Sequence, residues 1–337
     1  MGVTINDIAK LANVAPSTVS RVIADHPSIS QKTKDRVRAL IEELGYQPNY
    51  QAQSLGSNTT NTIGIVMPDS TDRVFQNPFF PEIMRGISNI AHDKSYEILI
   101  STGTTEQEIV ESVKRMVQRK RVDGFILLYS KMDDQVSDYL RSKKFPFVIV
   151  GKPDKNIDAI THVDNDNVQA AKETVDYFIK KGHRQIAFVG GDPTQVVTVD
   201  RMEGYKLALQ EANIPLREEL IIREKSLREG GREAARELMK LDNKPTALLV
   251  TDDLIALGML TNFAQNNVKV PDDVSIISFN NVLIAEMAHP ALTSVDIQVF
   301  KLGYYAGDCL IEKIKNPEEP HKRVIVPFKL VERESCK

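Results

Sequence analysis

The chain has 337 residues, 42% hydrophobic and 26% charged, with 43 Lys+Arg against 46 Asp+Glu. That is more than one domain's worth of chain with an ordinary globular composition, which excludes a disordered, collagen-like or fibrous protein. Cys309 and Cys336 are its cysteines, too few for a disulfide framework and in keeping with a reducing cytosol. The opening MGVTINDIAK has neither the positive nor the apolar segment of a secretory signal, and no apolar run approaches the roughly 18 residues that cross a bilayer. Asn6 stands where a myristoylation motif at Gly2 needs Ser or Thr. A cytoplasmic protein without a membrane partner is expected.

Thr4 is a good N-cap for a first helix with Ile5, Ile8, Ala9 and Ala12 on one face. Asn13-Val14-Ala15 forms a tight turn, and Pro16 suits the first turn of a second helix to Ile23. That helix turns Val19, Val22 and Ile23 inward and Ser17, Thr18, Ser20 and Arg21 outward. A third helix over Ser30 to Leu44 completes a helix-turn-helix unit. Small hydroxyl side chains allow close approach to a major groove, and Arg21 can donate twice to a guanine, worth about 1–3 kcal/mol of discrimination. Thr4, Thr18, Ser30 and Thr33 are placed for phosphate contacts. The plainer alternative is a three-helix bundle with solvated hydroxyls. Charge favours neither, since residues 1–60 hold six basic against five acidic residues and the remainder is net -4.

Residues 47–60 contain a short, weakly helical stretch followed by a polar Gly/Ser/Asn/Thr tail, a candidate hinge that folds only when something holds it. From about residue 62 the pattern changes. Apolar, β-branched runs at Thr62–Met67, Glu97–Ser101, Gly124–Leu128, Phe147–Val150, Gln185–Val189, Ala247–Val250 and Val274–Phe279 predict strands. Amphipathic stretches at Phe80–Asp93, Glu106–Lys120, Asn167–Lys181, Arg201–Ala212 and Gly231–Leu241 predict helices between them. The fold class is α/β: a doubly wound parallel sheet region, long enough for two units in tandem.

Motifs of nucleotide binding or nucleophilic catalysis are missing from this region, which argues against an enzyme. Asp164-Asn165-Asp166-Asn167 lacks the glycine and later glutamate of a calcium loop, and the histidines at 26, 92, 162, 183, 289 and 321 make no H-x-x-x-H pair. No metal and no cofactor are expected.

VTINDIAKLANVAPSTVSRVIADHPSISQKTKDRVRALIEELGYQPN resembles the DNA-binding headpiece of the LacI/GalR family of bacterial transcription regulators. The likeness continues through IGIVMPD, NPFFPEIMRGI, KRVDGFILL, VDNDNVQAA, GHRQIAFVGG, DRMEGY, TDDLIALG, VPDDVSIISFNN and LTSVDI, in one order over almost the whole chain. Within the family, QNPFFPEIMRGIS, KRVDGFILLYS and VDNDNVQAA are most similar to the maltose operon repressors of Gram-positive bacteria.

The resemblance implies a headpiece over 1–46, a hinge helix and linker over 47–60, and a periplasmic-binding-protein-like effector and dimerisation domain over 61–337. Its N-lobe would comprise about 61–163 and 295–323, its C-lobe about 164–294 and 324–333. The implied partners are a pseudo-palindromic double-stranded DNA operator, a small sugar effector such as maltose or a related glucoside, and a second copy in a homodimer. No heptad-repeat tail follows Arg333, which favours a dimer over a tetramer.

By the same resemblance Pro16, Ser17 and Arg21 contact bases, with Arg21 reading most because Pro16 has no side-chain donor. Leu55, with Ala52 beside it, matches the family's minor-groove wedge, although docking a linker is its plainer role. Gln53 replaces an arginine found in many relatives. Effector contacts fall on Phe79, Phe80, Asp164, Arg201, Asp252 and Asn280. Plainer roles stand beside these: core packing for the phenylalanines, capping of the helix near Asn167 for Asp164, an ion pair with Glu203 for Arg201, and loop capping for Asp252 and Asn280. Two departures bear on the ligand. Asn280 replaces a common aspartate, and Lys225-Ser226-Leu227 lacks a stacking aromatic, leaving Phe79, Phe80 or Tyr129 to supply the ring. The runner-up to a regulator is a transport-type sugar-binding protein, which would need export.

Overall fold

The computed structural model describes residues 3–23, 25–46, 59–68, 74–101, 103–223 and 227–337. The chain divides into two compact units, Met1–Thr60 and Asn61–Lys337. Ala52 and Leu55, expected to meet the minor groove, lie outside the described residues.

The first unit contains α1 (Ile5–Leu11), α2 (Pro16–Ile23) and α3 (Gln31–Glu43). Ile8, Ala9, Ala12, Val19, Val22 and Val37 form its buried core. The Thr4 backbone N–H and hydroxyl both donate to the Asp7 carboxylate, at 2.9 and 2.6 Å, satisfying the N-terminus of α1. Asn13 takes the left-handed conformation, φ 49°, that the tight turn into α2 requires.

The second unit has two six-stranded sheets. The first carries β1 (Thr62–Val66), β2 (Glu97–Ile100), β3 (Gly124–Leu127), β4 (Phe147–Val150), β5 (His162–Asp164) and β11 (Arg323–Ile325), in the order β11-β5-β4-β3-β1-β2. The second carries β6 (Ile186–Gly190), β7 (Ile221–Arg223), β8 (Ala247–Val250), β9 (Ser275–Phe279), β10 (Thr293–Asp296) and β12 (Lys329–Val331), in the order β12-β10-β9-β8-β6-β7. All pairings are parallel except β10 with β12. Strands β3, β4, β6, β8 and β9 are buried along their length, as continuous apolar runs covered on both faces should be.

The helices are α4 (Phe79–Asp93), α5 (Glu106–Gln118), α6 (Gln135–Ser142), α7 (Asn167–Lys180), α8 (Val196–Glu211), α9 (Arg228–Leu238), α10 (Asp253–Gln265), α11 (Leu283–Met287) and α12 (Val299–Lys315). The chain passes between the lobes after β5, after β10 and after β11. The second and third crossings lie a residue or two beyond the expected 294/295 and 323/324, because β10 completes the second sheet and β11 the first. α8 begins at Val196, not Arg201, adding a β-branched first turn that places Arg201 inside the helix.

Glycines bring helix pairs into backbone contact. A Cβ on Gly86 of α4 would meet the Phe300 carbonyl oxygen of α12 at 2.1 Å, and one on Gly303 would meet that of Ile83 at the same distance. In the second lobe Gly231 and Gly258 lock α9 against α10 in the same way, with carbonyl oxygens of Ile255 and Arg228 at 2.1 and 2.0 Å from their virtual Cβ atoms. Such contacts leave no room for sliding, so each pair moves as one piece.

Candidate functional site

In the first unit, Pro16, Ser17, Ser20 and Arg21 are exposed on the outer face of α2, and Thr18 is half-buried. The Ser30 hydroxyl accepts from the Thr33 N–H at 3.4 Å and lies 3.0 Å from the Thr33 hydroxyl, so two expected phosphate contacts form one capping pair at the start of α3. Sequence reasoning missed an acidic anchor between α2 and α3. Asp25, with φ 50°, takes Lys34 Nζ at 2.8 Å and Arg38 at 2.5 Å on one carboxylate oxygen. The Lys34 ammonium also donates to the Asp25 carbonyl at 3.2 Å. The bond from Lys34 holds the Asp25 carboxyl below its usual range.

In the second unit, Asp164, Arg201, Asp252 and Asn280 gather at the carboxyl ends of the strands, where doubly wound sheets bind ligands. Arg201, 5% exposed, donates from Nε to Asn167 Oδ1 at 2.9 Å and from NH1 to the Thr251 carbonyl at 2.7 Å. The ion pair open to it with Glu203 is thus not what holds it. Burial lowers its pKa to about 10, opposed by Asp252, Asp164, Asp253 and Asp200. Asp164 accepts from Asn167 Nδ2 at 3.0 Å, while the cap of α7 is Asp166, which accepts from the Gln169 N–H. Burial raises the Asp164 carboxyl to about 7, with Asp200 adding to the rise.

Asp252 caps α10, accepting the Leu254 N–H on Oδ1 at 2.7 Å. Its Oδ2 takes amide donors from Asn280 at 3.0 Å and Asn77 at 3.1 Å. Both oxygens are engaged, and burial raises its pKa. Asn280 sits at φ 104° in the turn after β9, its amide nitrogen committed to Asp252. The neighbouring Asp253, fully buried, accepts from Ser278, Ser294 and the Val282 N–H at 2.5, 2.7 and 2.9 Å, tying α10 to the ends of β9 and β10.

Phe79 and Phe80 meet edge to face at 5.1 Å and are half-buried against the main core, so each has both a packing role and an open face. Tyr129 differs: its hydroxyl donates to Asp134, the cap of α6, and its ring packs with the core of the first lobe. The sequence reading also missed Asn77, Lys152, Asn167 and Asp200. Lys152 and Asp200 form an ion pair between the lobes at 2.6 Å. The Asp164–Asn167 stretch carries a family likeness and roles for Asp164 in the sequence but none for Asn167 beyond starting a helix, and nothing local marks a polar residue whose partner lies in the other lobe.

No helix among the described residues is long and apolar enough to cross a membrane. Residues 4–49 match the bacterial regulatory proteins of the lacI family, and residues 175–336 match a periplasmic binding protein-like domain. The chain is 39% identical to the HTH-type transcriptional regulator MalR of Streptococcus pneumoniae over 340 residues, covering 99% of this chain and 100% of that protein. A putative transcriptional regulator LacI from Bacillus cereus subsp. cytotoxis superimposes with a TM-score of 0.81 at 48% identity, over 82% of this chain and 98% of that one. A complex of the transcriptional regulator CelR with cellobiose superimposes with a TM-score of 0.78 at 28% identity, over 99% of both chains. The fold and the full-length likeness agree with the resemblance carried by the motifs, and the chain belongs to the lacI family of bacterial regulatory proteins.

Proposed function

We propose that the chain is a cytoplasmic, non-enzymatic repressor of maltose or maltodextrin utilisation genes that binds a pseudo-palindromic operator as a homodimer and is controlled by a sugar held between its lobes. The observation that carries this reading is the joining of a helix-turn-helix unit to a cleft where Asp164, Arg201 and Asn280 converge beside Phe79 and Phe80. Charged and amide groups pair with adjacent sugar hydroxyls in two directions, and an aromatic face covers the sugar's C–H surface. The likeness to MalR regulators over full length supports maltose.

In this reading Arg21 reads a base, Pro16 and Ser17 allow the approach, and Thr4, Thr18, Ser30 and Thr33 hold phosphates. Asp252, with both oxygens engaged, orients Asn77 and Asn280 more than it meets the sugar. A second reading, the same regulator answering to another glucoside, is favoured by the lack of an aromatic at Lys225-Ser226-Leu227.

An operator-shift assay of the full chain against a panel of glucose-containing disaccharides tests both. Maltose is expected to change the shift; a change with another glucoside alone selects the second reading, and no change with any sugar refutes both.

A further inference from the structure

Contacts between the lobes among the described residues include two sets near the strand ends. In one, Lys152 Nζ of the first lobe meets Asp200 Oδ1 of the second at 2.6 Å, beside backbone bonds of 3.0 Å from Val196 N to Ser130 O and from Met132 N to Thr194 O. In the other, Asn77 ahead of α4 donates to Asp252 at the start of α10. Asn77 is 6% exposed, and its Oδ1 receives the Phe79 N–H at 3.0 Å.

We infer that Asn77 is a latch: a positioning residue whose bond to Asp252 forms on lobe closure and couples the cleft to the helix pair α4 and α12. Asn77 and Asp252 belong to different lobes, so any opening that separates the strand ends lengthens this bond. On the first-lobe side the latch pulls on the N-terminus of α4 through the Phe79 N–H, and α4 is locked to α12 at Gly86 and Gly303. On the second-lobe side it pulls on α10, locked to α9 at Gly231 and Gly258. Two rigid pairs are joined by one donor and one acceptor. A bond to a charged acceptor in a site largely shielded from water is strong enough to bias a two-state closure. The same Asp252 oxygen holds Asn280, so closure also fixes the Asn280 amide nitrogen.

The latch rests on the reading of the cleft as the sugar site, and its test separates the two. In the full chain, Asn77→Asp places a carboxylate against Asp252. It is expected to enlarge the small-angle scattering radius and weaken maltose binding at least about tenfold, since an unlatched chain must close at the sugar's expense. The exchange Asn77→Asp with Asp252→Asn restores a donor and an acceptor between the lobes and is expected to bring the radius back to the original, while affinity recovers only in part because Asn280 loses its carboxylate acceptor. Should Asn77→Asp fail to fold, Asn77→Ala removes the donor without adding charge and is expected to open the lobes in the same way.

Unchanged radius and affinity in a folded single variant, or failure of the exchange to restore the radius, overturns the latch. A wild-type chain that ignores maltose refutes the maltose reading, while the latch still stands or falls on the scattering radius.

Discussion

The guanidinium of Arg201 sits 4.1 Å from the centroid of the Phe279 ring while its NH1 donates to the Thr251 carbonyl at 2.7 Å. One side chain of α8 is thereby held by the ends of β8 and β9, which fixes a planar, two-pronged donor in the cleft. Lysine keeps the charge but loses the plane and the fork. Arg201→Lys is therefore expected to lower maltose affinity at least about tenfold while the chain stays folded, as read by titration calorimetry beside a thermal melt. Unchanged affinity would remove Arg201 from the sugar contacts.

Asp164 gives the cleft a pH dependence. Its carboxyl is raised to about 7 from 3.8, so the folded chain keeps a proton that the unfolded chain releases between those values. Stability from this group falls as pH rises through that interval, by up to about 1.4 kcal/mol per unit, and is level above it. Asp164→Asn should flatten urea-unfolding free energies between about pH 5 and 7 relative to the wild type. An equal slope in both proteins would place the proton elsewhere.

Arg21 is exposed on the outer face of α2. Arg21→Ala is expected to lose at least about 1 kcal/mol at the specific operator with little change on random duplex. A fluorescence-anisotropy titration of both duplexes measures the difference. Equal losses would mean that Arg21 contacts phosphate only.

Asp25 neutralises two cations that could otherwise meet phosphates. In Asp25→Asn the Lys34 and Arg38 charges lose their carboxylate partner. Binding to random duplex should tighten, and the slope of log affinity against log salt should steepen by about 1 to 2. An unchanged slope would show that α3 stays clear of the backbone whatever its charge.

Much of the architecture is legible in the sequence because periodicity is a local signal. Val19, Val22 and the buried runs of β3, β4, β8 and β9 lie where the apolar pattern puts them. Short edge elements are not legible: β7, β11 and β12 have three residues each, too few for alternation to register. The start of α8 is hidden for another reason. Val196-Val197-Thr198-Val199 reads as strand, yet tertiary packing makes it the first turn of a helix, with Val196, Thr198, Asp200 and Arg201 all buried. The gathering of Asp164, Arg201, Asp252 and Asn280 followed from resemblance alone, because their spacing of tens of residues carries no periodic signal. Asn77 and Lys152 escaped for the same reason, since each is defined by a partner in the opposite lobe.

The central claim is that sugar and operator compete through one conformational equilibrium of this chain. Linkage requires that maltose change operator affinity by the same factor by which operator changes maltose affinity. The decisive measurement is a maltose titration of the full chain with and without saturating operator, beside an operator titration with and without maltose. The account predicts two equal factors different from one; equal maltose affinity in the presence and absence of operator would contradict it.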